Sequence, residues 1–311
     1  MAEVTANGTA VARRHVLTWF AVGVGALLGA GVAGFELVDH GVLPGKLLID
    51  ELDGACSVAA PTLSFAPLGP SFSASFNSRF RRRAVGYTIA YPPGHRPGDE
   101  LPLIVMLHGF GQDHTNALVG MTPAQAVALR VGGSPLYPTA IVTVDGGDGY
   151  WNPHPNDDPM SMVVHELIPL CQGRGLGRSR DKIKLMGISM GGYGALAIAE
   201  RYPGLAVSVA AISPAIWTTY EQAHAANPGA FASAHAFADN DVIAHASSLS
   251  GVTLRVASGS ADPFHPGVVA FVEAAPDTID VHFEKGCHTD SFFLAQESPS
   301  LRFVSAIVVH G

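Results

Sequence analysis

The chain has 311 residues, 48% hydrophobic and only 14% charged, with a formal net charge of −8. That supplies ample apolar material for one large domain or two. The acidic balance, with no basic stripe interleaved with aromatics, excludes a nucleic-acid surface, and 35 glycines without a fixed period exclude collagen and solenoid architectures.

Residues 1–40 read as an address. Arg13-Arg14 precede an uncharged apolar run that reaches Phe35, and Glu36 and Asp39 follow it. About 20 residues of helix span the roughly 30 Å of a bilayer core. A positive flank in front places the rest of the chain outside the cytoplasm. Paired arginines before a Gly/Ala-rich run also resemble a twin-arginine export signal, with Gly31-Val32-Ala33 as a weak cleavage site. The segment is therefore either an uncleaved membrane anchor or a removed signal. Residues 41–75, punctuated by Pro61, Pro67 and Pro70, read as a tether with a short helix near 46–52.

A single domain is expected over 76–311. Residues 84–91 alternate as an antiparallel strand and stop at Pro92-Pro93-Gly94. Continuous apolar runs at 101–107 and 140–144 suit strands buried on both faces. Further strands are expected at 182–186, 207–212, 253–257 and 278–283. Between them lie helical stretches at 117–129, 161–171 and 192–201, and an Ala/His-rich insert at 214–251. Alternating strands and helices predict an α/β fold with a mostly parallel central sheet covered on both faces. Three cysteines, Cys56, Cys171 and Cys287, lack C-x-x-C spacing, which disfavours a thiolate zinc site. They read as buried or idle thiols. Export would allow one disulfide and one leftover thiol, and spacing does not choose the pair.

The most informative stretch is Gly187-Ile188-Ser189-Met190-Gly191. It fits G-x-S-x-G, a nucleophile elbow in which a strained strand-to-helix turn lifts a serine above the sheet, and the expected strand and helix flank it. An activated serine needs a base and an acid that orients the base. Asp262 follows the strand at 253–257, although an aspartate before proline is also a common turn residue. Asp239 and Asp241 are weaker candidates inside the insert. His288 follows the last strand, where a loop can hang an imidazole over the elbow. His282 lies mid-strand, and His265 is too close behind Asp262 to sit on a separate loop. For the oxyanion, the Met190 N–H is one donor, and His108-Gly109-Phe110-Gly111, directly after the strand at 101–107, offers Phe110 as the second, with Gly111 as fallback.

These residues, with Glu166-Leu167-Ile168-Pro169 and the 85–94 segment, resemble the α/β-hydrolase superfamily. Within it they are most similar to the esterase group that contains esterase D, feruloyl-esterase-type domains and the mycolyltransferases. The resemblance covers roughly residues 76–311. It implies an α/β-hydrolase fold and a serine esterase or acyltransferase with Ser189, His288 and Asp262 as its catalytic residues, an acyl-enzyme intermediate and no cofactor. The segment 146–158 is too individual for the substrate to be carried over. Because it follows a strand end, Tyr150 and Trp151 are candidates to line an acyl or aromatic pocket beside Gly109 and Gly111, with Asp148 and Asn152 holding a polar group. His154, Asp157 and Asp158 suit a rigid Pro-containing loop better than a metal. The insert, with Trp217, Tyr220, Phe231 and Phe237, is either a lid or a helical cover with aromatic core residues. The expected partner is a small-molecule or lipid ester, with the membrane reached through the N-terminal segment. Rival functions are an acyltransferase acting on an envelope lipid or carbohydrate, and a non-catalytic membrane-tethered binding protein.

Overall fold

The computed structural model describes residues 53–178, 183–276 and 279–306. The expected anchor or signal and the short helix near 46–52 lie outside the described residues. Among the described residues, no helix is long and apolar enough to cross a membrane.

Among the described residues eight strands form one sheet: β1 (Ser71–Ser78), β2 (Arg83–Ala90), β3 (Leu103–Leu107), β4 (Ala140–Val144), β5 (Ile183–Ile188), β6 (Ser208–Ile212), β7 (Thr253–Gly259) and β8 (Ile279–Glu284). Their spatial order is β8-β7-β6-β5-β3-β4-β2-β1. β1 pairs antiparallel with β2 and β2 antiparallel with β4, while every pair from β4 to β8 is parallel. β3, β4, β5 and β6 are buried at every position, as sequences without polar alternation require when helices cover both faces. Successive side chains of a strand point to opposite faces. Leu103, Val105 and Leu107 accordingly join one hydrophobic layer, and Ile104 and Met106 join the other.

The helices are α1 (Pro123–Val127), α2 (Pro159–Met162), α3 (Ile168–Gln172), α4 (Met190–Arg201), α5 (Tyr220–Ala226), α6 (Ala234–Asp239), α7 (Val242–His245), α8 (His265–Ala274) and α9 (Asp290–Ser305). α4 is buried from Met190 to Glu200. Its small residues let it lie directly against the central strands. On the opposite layer, α9 contributes Phe292, Leu301 and Val304.

Three expected elements differ. The tether does not run to Ser75, because Ser71–Ser78 is edge strand β1, in register with all of β2. Its serines are weak strand formers, but Phe72 and Phe76 pack on the core. The helix expected over 117–129 shrinks to α1. A capping box between Thr122 and Gln125 starts it, and the chain then enters a small three-stranded sheet at Leu129–Val131. The helix expected over 161–171 is α2 and α3 joined by a π turn, Val163–Leu167. Cys171 is a buried free thiol, pushed up to about 12 by burial. Cys287 is disulfide-bonded, so the reading of three idle thiols fails there.

Candidate active site

Ser189 is the single residue between β5 and α4. It has φ 55° and ψ −121°, a conformation rare for a side-chain-bearing residue. Its surroundings over-determine it. The Ser189 N–H donates to Ile212 O on β6 (2.9 Å), and its carbonyl accepts from Tyr193 and Ala215. A Cβ on Gly191 would overlap the carbonyl of Leu107 at the end of β3. Only glycine lets the start of α4 press against that strand, which brings the serine beside the loop after β3.

The expected acid and base come from the two strands at the far border of the sheet. Asp262 follows β7 and has a completely buried carboxylate. One of its oxygens accepts the Phe264 N–H (2.8 Å) and the other meets His288 Nδ1 (2.8 Å). His288 follows β8, and its Nε2 lies 2.8 Å from Ser189 Oγ. Facing the buried Asp262 carboxylate, Nδ1 holds the proton and Nε2 accepts from the serine hydroxyl. Phe264 and Phe293 pack on the imidazole with ring centroids 4.9 Å away on each. The two loops are stitched together: Ser260 N–H donates to Glu284 O (2.8 Å) and Ala261 N–H to Gly286 O (2.9 Å). A side chain at Gly259 would strike the Gly286 carbonyl.

The loop after β3 is fixed from three sides. His108 is fully buried. Its Nε2 accepts the Gly146 N–H (2.8 Å), so its Nδ1 carries the proton and donates to Gly109 O (2.7 Å). Burial lowers its pKa and keeps it neutral. Gln112 Oε1 accepts the Gly109 N–H (2.8 Å), and Asp148 Oδ1 accepts the Gly111 N–H (2.7 Å). The fallback donor Gly111 is therefore committed elsewhere. Among the described residues nothing accepts the Phe110 N–H, and Met190, as the first residue of α4, has no acceptor within its own helix. A cavity of about 240 Å³ opens here, with Gly109, Phe110, Ser189, His288, Asp290 and Phe293 among its walls.

The model of the "putative esterase" family matches residues 79–267, which spans the elbow and Asp262. The chain belongs to this family. Solved structures similar to the esterase include a ferulic acid esterase (17% identity, TM-score 0.62, 78% of this chain and 100% of that one covered). Others are an S-formylglutathione hydrolase from Agrobacterium tumefaciens (18%, 0.60, 79% and 98%) and the fluorophosphonate-binding serine hydrolase FphF of Staphylococcus aureus (14%, 0.59, 77% and 100%). At these identities the likeness shows the fold alone, and the family match carries the esterase assignment. No curated protein matches.

Two expected pocket residues of the esterase lie elsewhere. Trp151 is fully buried. Its Nε1 donates to His108 O (3.3 Å), and its ring fills space over Gly146 and Gly194 that a side chain would occupy. Tyr150 is also buried, among Tyr193 and Phe231, and its hydroxyl accepts from Trp217 Nε1 (3.1 Å). Both support the core beneath the site instead of lining it. Asn152 likewise bonds Tyr193 and Ala230, and Asp157 pairs with Arg81 and Arg83. Phe231 and Phe237 of the insert are core residues, which favours the cover over the lid. The rival acids and bases have other partners: Asp241 caps α7, His265 meets Ser258, and His282 meets Asp280. Sequence reasoning missed Gln112, Asp290, Phe264 and Phe293. Asp290 and Phe293 sit two and five positions past His288, so the first turns of α9 were the available signal.

Proposed function

We propose that this esterase hydrolyses carboxylic esters through a covalent serine intermediate. His288 takes the Ser189 proton as the hydroxyl oxygen attacks the ester carbonyl carbon. Asp262 holds the imidazole in the Nδ1–H tautomer and stabilises the imidazolium. The Phe110 and Met190 N–H groups receive the oxyanion. The imidazolium then returns its proton to the departing alcohol, and water repeats the sequence in reverse to release the acid.

The observation that carries this reading is the unbroken line Asp262–His288–Ser189, 2.8 Å at each link, ending on a strained serine at a cavity wall. The test is Ser189→Ala in p-nitrophenyl ester hydrolysis, with fluorophosphonate labelling of the parent protein. Turnover should fall by about 10³-fold or more, and the label should map to Ser189. Retained turnover in a clean preparation, or label on another residue, would reject the assignment.

A further inference from the structure

The cavity in front of Ser189 joins apolar walls to one carboxylate. Phe110, 59% exposed, and Phe293 supply aromatic surface, and Asp290 supplies the charge. Among the described residues no lysine or arginine lines it, and Lys285, three residues before His288, is exposed outside it. The surroundings are acidic as well. Asp148 holds Gly111 of the neighbouring loop. An acid in the first turn of α9 complements that helix's dipole whatever the cavity holds. Its place on the cavity wall adds a consequence for the ligand. A carboxylate beside two aromatic faces suits an alkylammonium group, which gains from the charge and from the rings alike.

The side of the ester that meets Asp290 follows from the chemistry. His288 delivers the proton to the leaving alcohol, so the alcohol leaves along the wall that His288 shares with Asp290 and Phe293, whose ring packs on the imidazole. Resting on the serine-esterase reading above, we propose that Asp290 makes the site select esters whose alcohol portion carries an alkylammonium group over anionic counterparts. The cavity is small beside the roughly 300–1,000 Å³ of drug-sized sites, so the selected alcohols are short.

The experiment compares three acetyl esters of matched length by pH-stat: acetylcholine, the neutral 3,3-dimethylbutyl acetate and anionic 3-acetoxypropanoate. A charge at contact distance is worth about fivefold in a solvated setting, so kcat/KM should favour the cation over the anion by about 25-fold, with the neutral ester between. In Asp290→Asn, and in wild type at high salt, that ratio should shrink to within about threefold. Equal rates on all three esters, or a ratio unchanged in Asp290→Asn, would overturn the proposal and leave the serine-esterase reading intact. Failure to hydrolyse any of the three overturns it too, and absence of fluorophosphonate label on Ser189 would overturn the underlying reading besides.

Discussion

Glu297 of α9 carries a measurable liability. It is completely buried. Its Oε1 accepts the Val119 N–H (2.6 Å), while its Oε2 is sealed without a partner among the described residues. Burial pushes its pKa from 4.5 to about 8. The unfolded chain surrenders this proton near 4.5, and the folded protein keeps it to about pH 8. Between those values the unfolded state binds fewer protons, so stability falls as pH rises through the window and levels off above it. At about 1.4 kcal/mol per pH unit, the window from 4.5 to about 8 bounds the loss at about 5 kcal/mol. Glu297→Gln keeps an oxygen for Val119 and cannot ionise. It should be as stable as wild type at pH 5, or lower by about 1 kcal/mol for its unpaired amide hydrogens, and more stable by several kcal/mol at pH 8. Urea unfolding at pH 5, 6, 7 and 8 measures the difference. Parallel curves, offset by the same amount throughout, would mean that the carboxyl ionises in the folded state as easily as in water, and the argument from burial would fail.

The remaining predictions are of activity and packing. Asp262→Asn should lower kcat by about 10⁴-fold by admitting the wrong imidazole tautomer, with the circular dichroism unchanged; a loss under tenfold would contradict the role. Gln112→Leu deprives the Gly109 N–H of its acceptor and should lower kcat about tenfold to a hundredfold through misplaced oxyanion donors, with KM little altered. A change in KM alone would refute it. Gly191→Ala drives a methyl group into the Leu107 carbonyl and should cost about 3 kcal/mol or more, read as a lower urea midpoint; an unchanged midpoint would show that the close approach can relax.

The fold and the core of the site are legible in the sequence where local order carries them. The elbow is a strand, a glycine-flanked serine and a small-residue helix in direct succession, and Asp262 and His288 stand where loops follow strands. What the sequence hides is direction and distance. Tyr150 and Trp151 follow the end of β4 just as a pocket residue would, yet they turn inward because Gly146 and Gly194, far apart in the chain, leave room for the indole. The strand β1 is hidden by serines and revealed only by its pairing along β2. The role of Gln112 has no periodic signature at all, since it lies in a single side chain folding back three residues.

Asp262 and His288 leave from β7 and β8, and among the described residues β8 has a neighbour on one side only. Their two loops are also sewn to each other far more tightly than to the elbow. The proposed acid and base thus travel as one cassette riding on a sheet margin, whereas the proposed nucleophile is rooted in its middle. Warming that peels the margin would silence the enzyme while most of the protein is still folded, and a graft meant to re-aim the imidazole has to carry the carboxylate's loop along with it.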